Sequence, residues 1–389
     1  MRLLYFTDYS EQFPYRLLRG IYRYGQQNNI PWVVCRMPSE LKGQYEFKDL
    51  VAWACEWQAD WVIGQFTPDV DLQEFRRHGI VAMAQDYETL IPGVPNITAD
   101  YKRMGEMAAE RFVARGFREF AFFGNNGLCW SDGRRDGFCA YLEEMGYGDH
   151  VHVYTGKRPG STWYFRLDLV REWLLSLPKP VGIFACDDNQ ATKVAEACKT
   201  LGLRIPYEVA IVGVDNDEIL CNMSDPPISS IDVDIEKGGY EAAAMAVRMK
   251  QDPSYAGEDI ILHPLHLVTR ESSDLLITKD DQVHQALLFI HSNVNHKILV
   301  KDVLEHVPLS RRLLEQRFLK ATGKTIYQYI SELRIDHFGR LLLETDEPIG
   351  NLAARMDEPD PKSLSRRFRE LKGCTPSSYR KKNLRKSRA

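Results

Sequence analysis

Along the first two thirds of the chain, short apolar runs alternate with longer stretches whose apolar residues recur every three or four positions. "RLLYF", "WVVC", "DWVIG" and "IVAMA" predict strands before residue 100. "FAFFG", "VHVY", "VGIFACD" and "VAIVGVD" predict strands after residue 118. Stretches between them, such as "RMGEMAAERFVARG" (103–116), have helical periodicity. Strand–helix alternation specifies parallel, doubly wound sheets, and the two sets of strands specify two lobes. "SSIDVD" and "ILHPLHLVTRESS" read as the crossover and terminal pieces that complete them.

From residue 283 onward the rhythm is helical, and it repeats. Phe318, Gly323, Thr325 and Tyr329 recur as Phe368, Gly373, Thr375 and Tyr379, each fifty positions later. Leu314 and Arg317 map in the same way onto Leu364 and Arg367. One fixed offset marks two copies of a single helical unit. In each copy a glycine ends a helix and a threonine caps the next, with Pro376 at the favoured first helical position. A shorter helix, "KDVLEHV" or "IGNLAARM", precedes each repeated one, joined through "PLS" or "DEPDP". That is a helix-turn-helix layout, whose second helix enters the DNA major groove. Ile330, Leu333, Phe338, Leu341 and Leu342 predict a connecting helix of about twelve to sixteen residues. Two recognition helices on one rigid frame reach successive major grooves, about 34 Å apart. Their outward positions are Arg311, Arg312, Glu315 and Gln316 in the first, and Lys362, Ser363 and Arg366 in the second. Arg and Gln suit the edges of G and A, whereas Arg317, Arg367 and Arg369 suit phosphates or a structural role.

Charge sharpens this division. Residues 279–389 hold 22 Lys and Arg against 14 Asp and Glu, a net of +8, which leaves −12 for residues 1–278 out of the total of −4. One part is built to meet nucleic acid and the other is not. The expected boundaries are a two-lobed sensor over 1–274, a linker over 275–282 and a DNA-binding domain over 283–389. No apolar run approaches the roughly 18 residues of a membrane span, and "MRLLYFTDYS" reads as a first strand, not a signal peptide. The eight cysteines are scattered, without paired or metal-like spacing. Reduced thiols, a cytoplasmic location and no metal or cofactor are the expectation.

Ligands of open α/β sheets sit outside the carboxyl ends of the strands, and polar and aromatic residues gather there. The first strand leads to Asp8, Phe13 and Tyr15, the third to Gln65 and the fourth to Asp86. The second half contributes Trp130, Arg134, Asp187, Asp188, Asp215 and Asn216. Asp and Arg grip neighbouring hydroxyls, and aromatic rings cover the apolar face of a sugar. Each of these residues also suits a turn or a helix cap, and Asp188 is placed to cap a helix starting near Gln190. Catalysis is not expected. Adjacent carboxylates such as Asp187 and Asp188 point in different directions from a strand end, so they are poorly placed to flank one glycosidic bond. No nucleophile elbow, phosphate loop or metal cluster is present in the sequence.

"QFPYRLLRGIYRYGQQ", "FVARGFREFAFFG", "RRDGF", "GIFACDDNQA", "VAIVGVDNDE" and "LVTRESS" resemble, in order and spacing, the sugar-binding core of LacI/GalR-type regulators and periplasmic binding proteins over roughly 1–274. The resemblance implies that Arg134, Asp187 and Asp215 contact a sugar, with Phe13 in the first ligand loop; Trp130 joins them as a ligand-binding candidate from the strand-end reading. It departs in lacking the usual N-terminal DNA-binding headpiece before the first strand. Residues 283–382, with "F…GxTPxxYR", are similar to the AraC/XylS-type DNA-binding domain. There the departure is Asp357-Glu358, where that family has Gly-Phe, so a remodelled second turn is expected. A sugar core ahead of such a tail is the layout of bacterial xylose operon regulators. This resemblance implies a homodimeric activator that binds double-stranded DNA, contacts RNA polymerase and responds to a pentose such as D-xylose. L-Arabinose, a hexose or a sugar phosphate suits much of the same pocket.

Overall fold

The computed structural model describes residues 1–7, 12–36, 46–154, 167–278, 280–345, 347–358 and 360–386. Asp8 lies outside them. The chain divides into two compact units, Met1–Leu275 and Leu276–Ala389.

The first unit holds two six-stranded sheets. In lobe one, β1 (Arg2–Phe6), β2 (Val33–Arg36), β3 (Trp61–Gln65), β4 (Val81–Gln85), β5 (Asn96–Ala99) and β11 (Ile260–Leu262) run in the order β11-β5-β4-β3-β1-β2. Its helices are α1 (Gln12–Asn28), α2 (Phe47–Glu56), α3 (Gln73–Arg77) and α9 (Ile235–Gln251). Lobe two orders β6 (Glu119–Phe123), β7 (Val151–Val153), β8 (Val181–Ala185), β9 (Val209–Val214), β10 (Ser229–Val233) and β12 (Pro264–Val268) as β12-β10-β9-β8-β6-β7. Around it lie α4 (Tyr101–Ala114), α5 (Cys129–Glu144), α6 (Leu167–Ser176), α7 (Asp188–Leu201) and α8 (Glu218–Met223). Strand pairing is parallel except between β10 and β12. Strands such as β8 and β9 are buried along their whole length, because helices cover both faces of a parallel sheet. Each lobe has its own core, around Phe75 and Val62 in one and Val194 and Ile211 in the other.

The chain crosses between lobes after β5, after β10 and between β11 and β12, so each lobe carries a helix that follows a strand of the other. Two close helix pairs result. A Cβ on Gly20 of α1 or Gly239 of α9 would overlap the facing backbone, as would one on Gly105 of α4 or Gly137 of α5. Glycine is required at these approaches.

The second unit is helical: α10 (Asp281–Ser292), α11 (Val300–His306), α12 (Arg311–Thr322), α13 (Ile326–Glu344), α14 (Ile349–Arg355), α15 (Pro361–Lys372) and α16 (Pro376–Lys386). It has two small cores, one centred on Phe318 and one on Phe368. The fifty-residue repeat survives in three dimensions. Gly323 and Gly373 end α12 and α15 at φ +72° and +70°. Phe318 meets Tyr329 edge-on at 5.5 Å, and Phe368 meets Tyr379 edge-on at 5.3 Å.

One expectation needs correction. The connecting helix α13 has 19 residues. The Thr325 hydroxyl accepts from the Gln328 N–H while the Gln328 side chain accepts from the Thr325 N–H, so the helix starts at Ile326, itself buried, a turn before Ile330. Asp357 takes φ +51°, the left-handed conformation that glycine adopts readily. Asp360 then caps α15 by accepting from the Lys362 N–H at 3.0 Å.

Candidate functional site

Strand ends from both lobes converge on a cavity of about 180 Å³. Phe13, Trp130, Arg134, Asp187 and Asp215 all line it, together with Gln65 and Asp86. Phe13 lies not in a loop but in the first turn of α1, and Trp130 and Arg134 lie in the first two turns of α5. The tight α4–α5 contact through Gly105 is what sets the Arg134 backbone at the cavity wall.

Arg134 is the centre of the site, its side chain only 5% exposed. Its guanidinium donates to the Asp215 carboxylate at 3.2 Å, to the Cys186 carbonyl and to the Met104 sulfur at 3.4 Å. It also lies over the rings of Tyr101 at 5.4 Å and Trp130 at 5.7 Å. Burial works against its charge, but Asp215 and the other acidic groups around it outweigh burial and raise its pKa. The carboxylates are prepared differently. Asp86 accepts from the Thr98 and Tyr101 hydroxyls, both at 2.6 Å, while burial raises its pKa. Burial likewise raises Asp187. A guanidinium, three carboxylates, carboxamides from Gln65 and Gln85 and flat aromatic walls surround the cavity, a donor and acceptor set able to hydrogen-bond hydroxyl groups.

Asp188 does not cap α7. Asp187 does, accepting from the Gln190 N–H at 2.7 Å, and α7 starts at Asp188. Asp188 is buried behind the site, where its carboxylate accepts from the Asp217 N–H at 2.7 Å and braces the loop after β9. That loop holds Asp215 at φ +93° and Asn216 at φ +50°. The Asn216 side chain accepts from Arg270 at 2.8 Å, and neither Asn216 nor Tyr15 lines the cavity.

Sequence reasoning passed over Thr7, Gln85, Tyr101, Met104 and Arg16. The first four line the cavity. Arg16, on α1 of lobe one, reaches across to lobe two. It donates to the carbonyls of Asp215 at 2.8 Å and Val233 at 3.0 Å, and pairs with Asp232 at 3.0 Å. On the opposite side the Cys129 N–H donates to the Tyr87 carbonyl at 2.9 Å, again from lobe two to lobe one. The signal for Tyr101 was its place just after a strand, but "NITA" is too short and polar to read as one.

In the second unit, Arg311, Arg312 and Gln316 are exposed on α12, and Lys362 and Arg366 on α15, with Ser363 half-buried beside them. Glu315 pairs with Arg311 at 3.0 Å along the helix. The repeat-related arginines are engaged internally. Arg317 reaches Asp280 at 3.4 Å, and Arg367 pairs with buried Glu358. Arg369 is exposed.

Residues 109–273 match the model of a periplasmic binding protein-like domain, and residues 303–382 that of a helix-turn-helix domain. The xylose operon regulatory protein of Haemophilus influenzae is 31% identical over 293 residues, spanning 74% of this chain and 75% of that protein. Its namesake in Escherichia coli K12 is 25% identical over 98% of this chain and 97% of its own length. Among solved structures, a xylose-binding transcription activator superposes with a TM-score of 0.72 at 24% identity, covering 98% of this chain and 97% of that one. A LacI family regulator from Enterococcus faecium with bound ribose gives 0.57 at 18% identity, over 71% of this chain and 99% of that one.

Proposed function

This chain belongs to the family of xylose operon regulatory proteins, and from that premise we propose that it is a DNA-binding transcription activator whose effector, D-xylose, binds between the two lobes of the first unit. The observation that carries the proposal is the cage around Arg134. A pentose ring fits a small cavity in which Trp130 and Phe13 face its apolar sides while Arg134, Asp86, Asp187 and Asp215 address its hydroxyls. The cage disfavours a sugar phosphate, because its cation is already paired with Asp215 and carboxylates outnumber it. DNA is met by the exposed positions of α12 and α15, two helix-turn-helix modules on the frame of α13. Sugar acts by binding one state of the protein better than the other, so its differential affinity is the whole energy of the switch. The protein works in the cytoplasm as a homodimer on paired half-sites and contacts RNA polymerase there. It is a regulator, not an enzyme.

Isothermal titration with D-xylose, L-arabinose, D-ribose and D-glucose tests the effector. Selective D-xylose binding that disappears in Arg134→Ala and Asp215→Ala is expected. Binding that survives both substitutions, or no heat from any of the four, overturns the assignment.

A further inference from the structure

The second turn raises a question that the DNA-reading positions leave open: why it carries Asp357 and Glu358. Both side chains are engaged. Asp357 holds a left-handed backbone at φ +51°, a conformation that costs a non-glycine residue energy and needs a compensating contact. Its carboxylate lies 2.7 Å from Nδ1 of His296, in the loop between α10 and α11 of the first helix-turn-helix module. Next to it, the Arg334 guanidinium rises from the middle of α13, buried between the modules. It donates to the His296 carbonyl on one side and to the Met356 carbonyl, at 2.6 Å, on the other. Glu358 turns inward and pairs with Arg367 of the second recognition helix.

We infer that Asp357, through His296 and beside Arg334, is a positioning residue that fixes the angle and spacing between the two recognition helices, and so the separation of the DNA segments that the tail accepts. The physical reasoning is direct. The two small cores share only α13 as a covalent frame, and a helix 19 residues long bends gently under load. A contact spanning the modules off the helix axis removes that freedom. Arg334 alone would hold the two backbones at one point. The His296–Asp357 pair adds a second point and prevents rotation about the first. Arg367, held by Glu358, then ties the turn that bears Asp357 to the helix that enters the groove.

This inference rests on the reading of the second unit as a DNA-binding tail, and its test separates the two. Randomised duplex DNA is selected on the full-length wild-type protein. The selected duplex is then remade with one or two base pairs inserted between its two protected segments. Wild-type affinity should fall with each insertion. In Asp357→Gly, Asp357→Asn and His296→Ala, the fall should be shallower by about two- to fivefold, in keeping with the strength of an exposed pair. The double variant Asp357→Asn/His296→Ala should be no shallower than either single one. Asp357→Gly should keep or raise the melting temperature, since glycine takes this φ without strain. Spacing profiles parallel to wild type in all variants overturn the inference while leaving DNA binding intact. A wild type that selects no DNA overturns the DNA-binding reading and this inference with it.

Discussion

The guanidinium of Arg16 in lobe one donates to the backbone carbonyl of Asp215 in lobe two at 2.8 Å. Asp215 is held from both ends, its carbonyl by Arg16 and its carboxylate by Arg134, in a left-handed conformation unusual for a non-glycine residue. Strain of this kind persists where surrounding contacts over-determine it. Arg16 therefore joins the contact between the lobes to the orientation of a cavity carboxylate. Replacing it by Gln removes the charged donors and leaves Asp232, 16% exposed, without its paired cation. Sugar affinity should drop about ten- to a hundredfold, the range for a buried charge-assisted hydrogen bond. Arg16→Lys should recover part of the loss. Calorimetric titration checks both. Equal affinity in Arg16→Gln would show that the latch is irrelevant to binding.

Gly105 gives a test of how Arg134 is positioned. A methyl group there would overlap the Arg134 carbonyl and the Phe138 N–H, so α4 and α5 must separate. Gly105→Ala should destabilise the first unit by about 1–3 kcal/mol, the usual cost of overpacking. Chemical denaturation followed by tryptophan fluorescence reads the change, and sugar titration of the folded variant should show weakened binding.

Asp188 gives a prediction in pH. Burial raises its carboxyl well above the ordinary value of 3.8, so between that value and the raised one the folded chain holds a proton that the unfolded chain has lost. Its contribution to stability is present below pH 3.8 and is lost as pH rises through the folded value. Asp188→Asn keeps the acceptor for Asp217 and carries no charge. The variant should melt higher than wild type at pH 7.5, and the gap should narrow toward pH 4. A gap that stays constant in scanning calorimetry would mean that Asp188 does not titrate with a raised pKa.

Arg366 and Arg367 are neighbours that should behave oppositely. Arg366 is exposed on α15, whereas Arg367 pairs with Glu358, whose side chain is 8% exposed. Arg366→Ala should cost about 1–3 kcal/mol of DNA affinity, with thermal stability unchanged. Arg367→Ala leaves a buried carboxylate unpaired and should lower stability by about 1–3 kcal/mol. Anisotropy on selected duplex DNA and thermal melting distinguish them.

The contrast between these residues also shows what the sequence could and could not reveal. Buried parallel strands announce themselves as unbroken apolar runs, as in "VGIFA" and "VAIVGV", and their ends point to Asp187 and Asp215 without further help. The Gly and Thr of each tail copy do the same for the helix boundaries. Strand β5 is four residues long and half polar, so it stayed hidden, and Tyr101 just after it was hidden too. Arg16 sits in an amphipathic helix where a cation reads as surface. Only the crossover that returns from β10 beside α1 brings Asp232 and Asp215 to it. Asp357 and Glu358 stood out only as a departure from the Gly-Phe of the related family, and their partners, His296 and Arg367, lie 61 and 9 positions away. Long-range pairing leaves no local periodicity to read.

If sugar in the cleft sets the DNA affinity of the tail, one experiment should show it: the dissociation constant of full-length protein on selected duplex DNA, measured by anisotropy with and without saturating D-xylose. Thermodynamic coupling of ordinary size predicts about a 5- to 150-fold change, absent in Arg134→Ala. Identical constants with and without sugar, in a protein that calorimetry shows to bind D-xylose, would contradict a regulatory link between the two units.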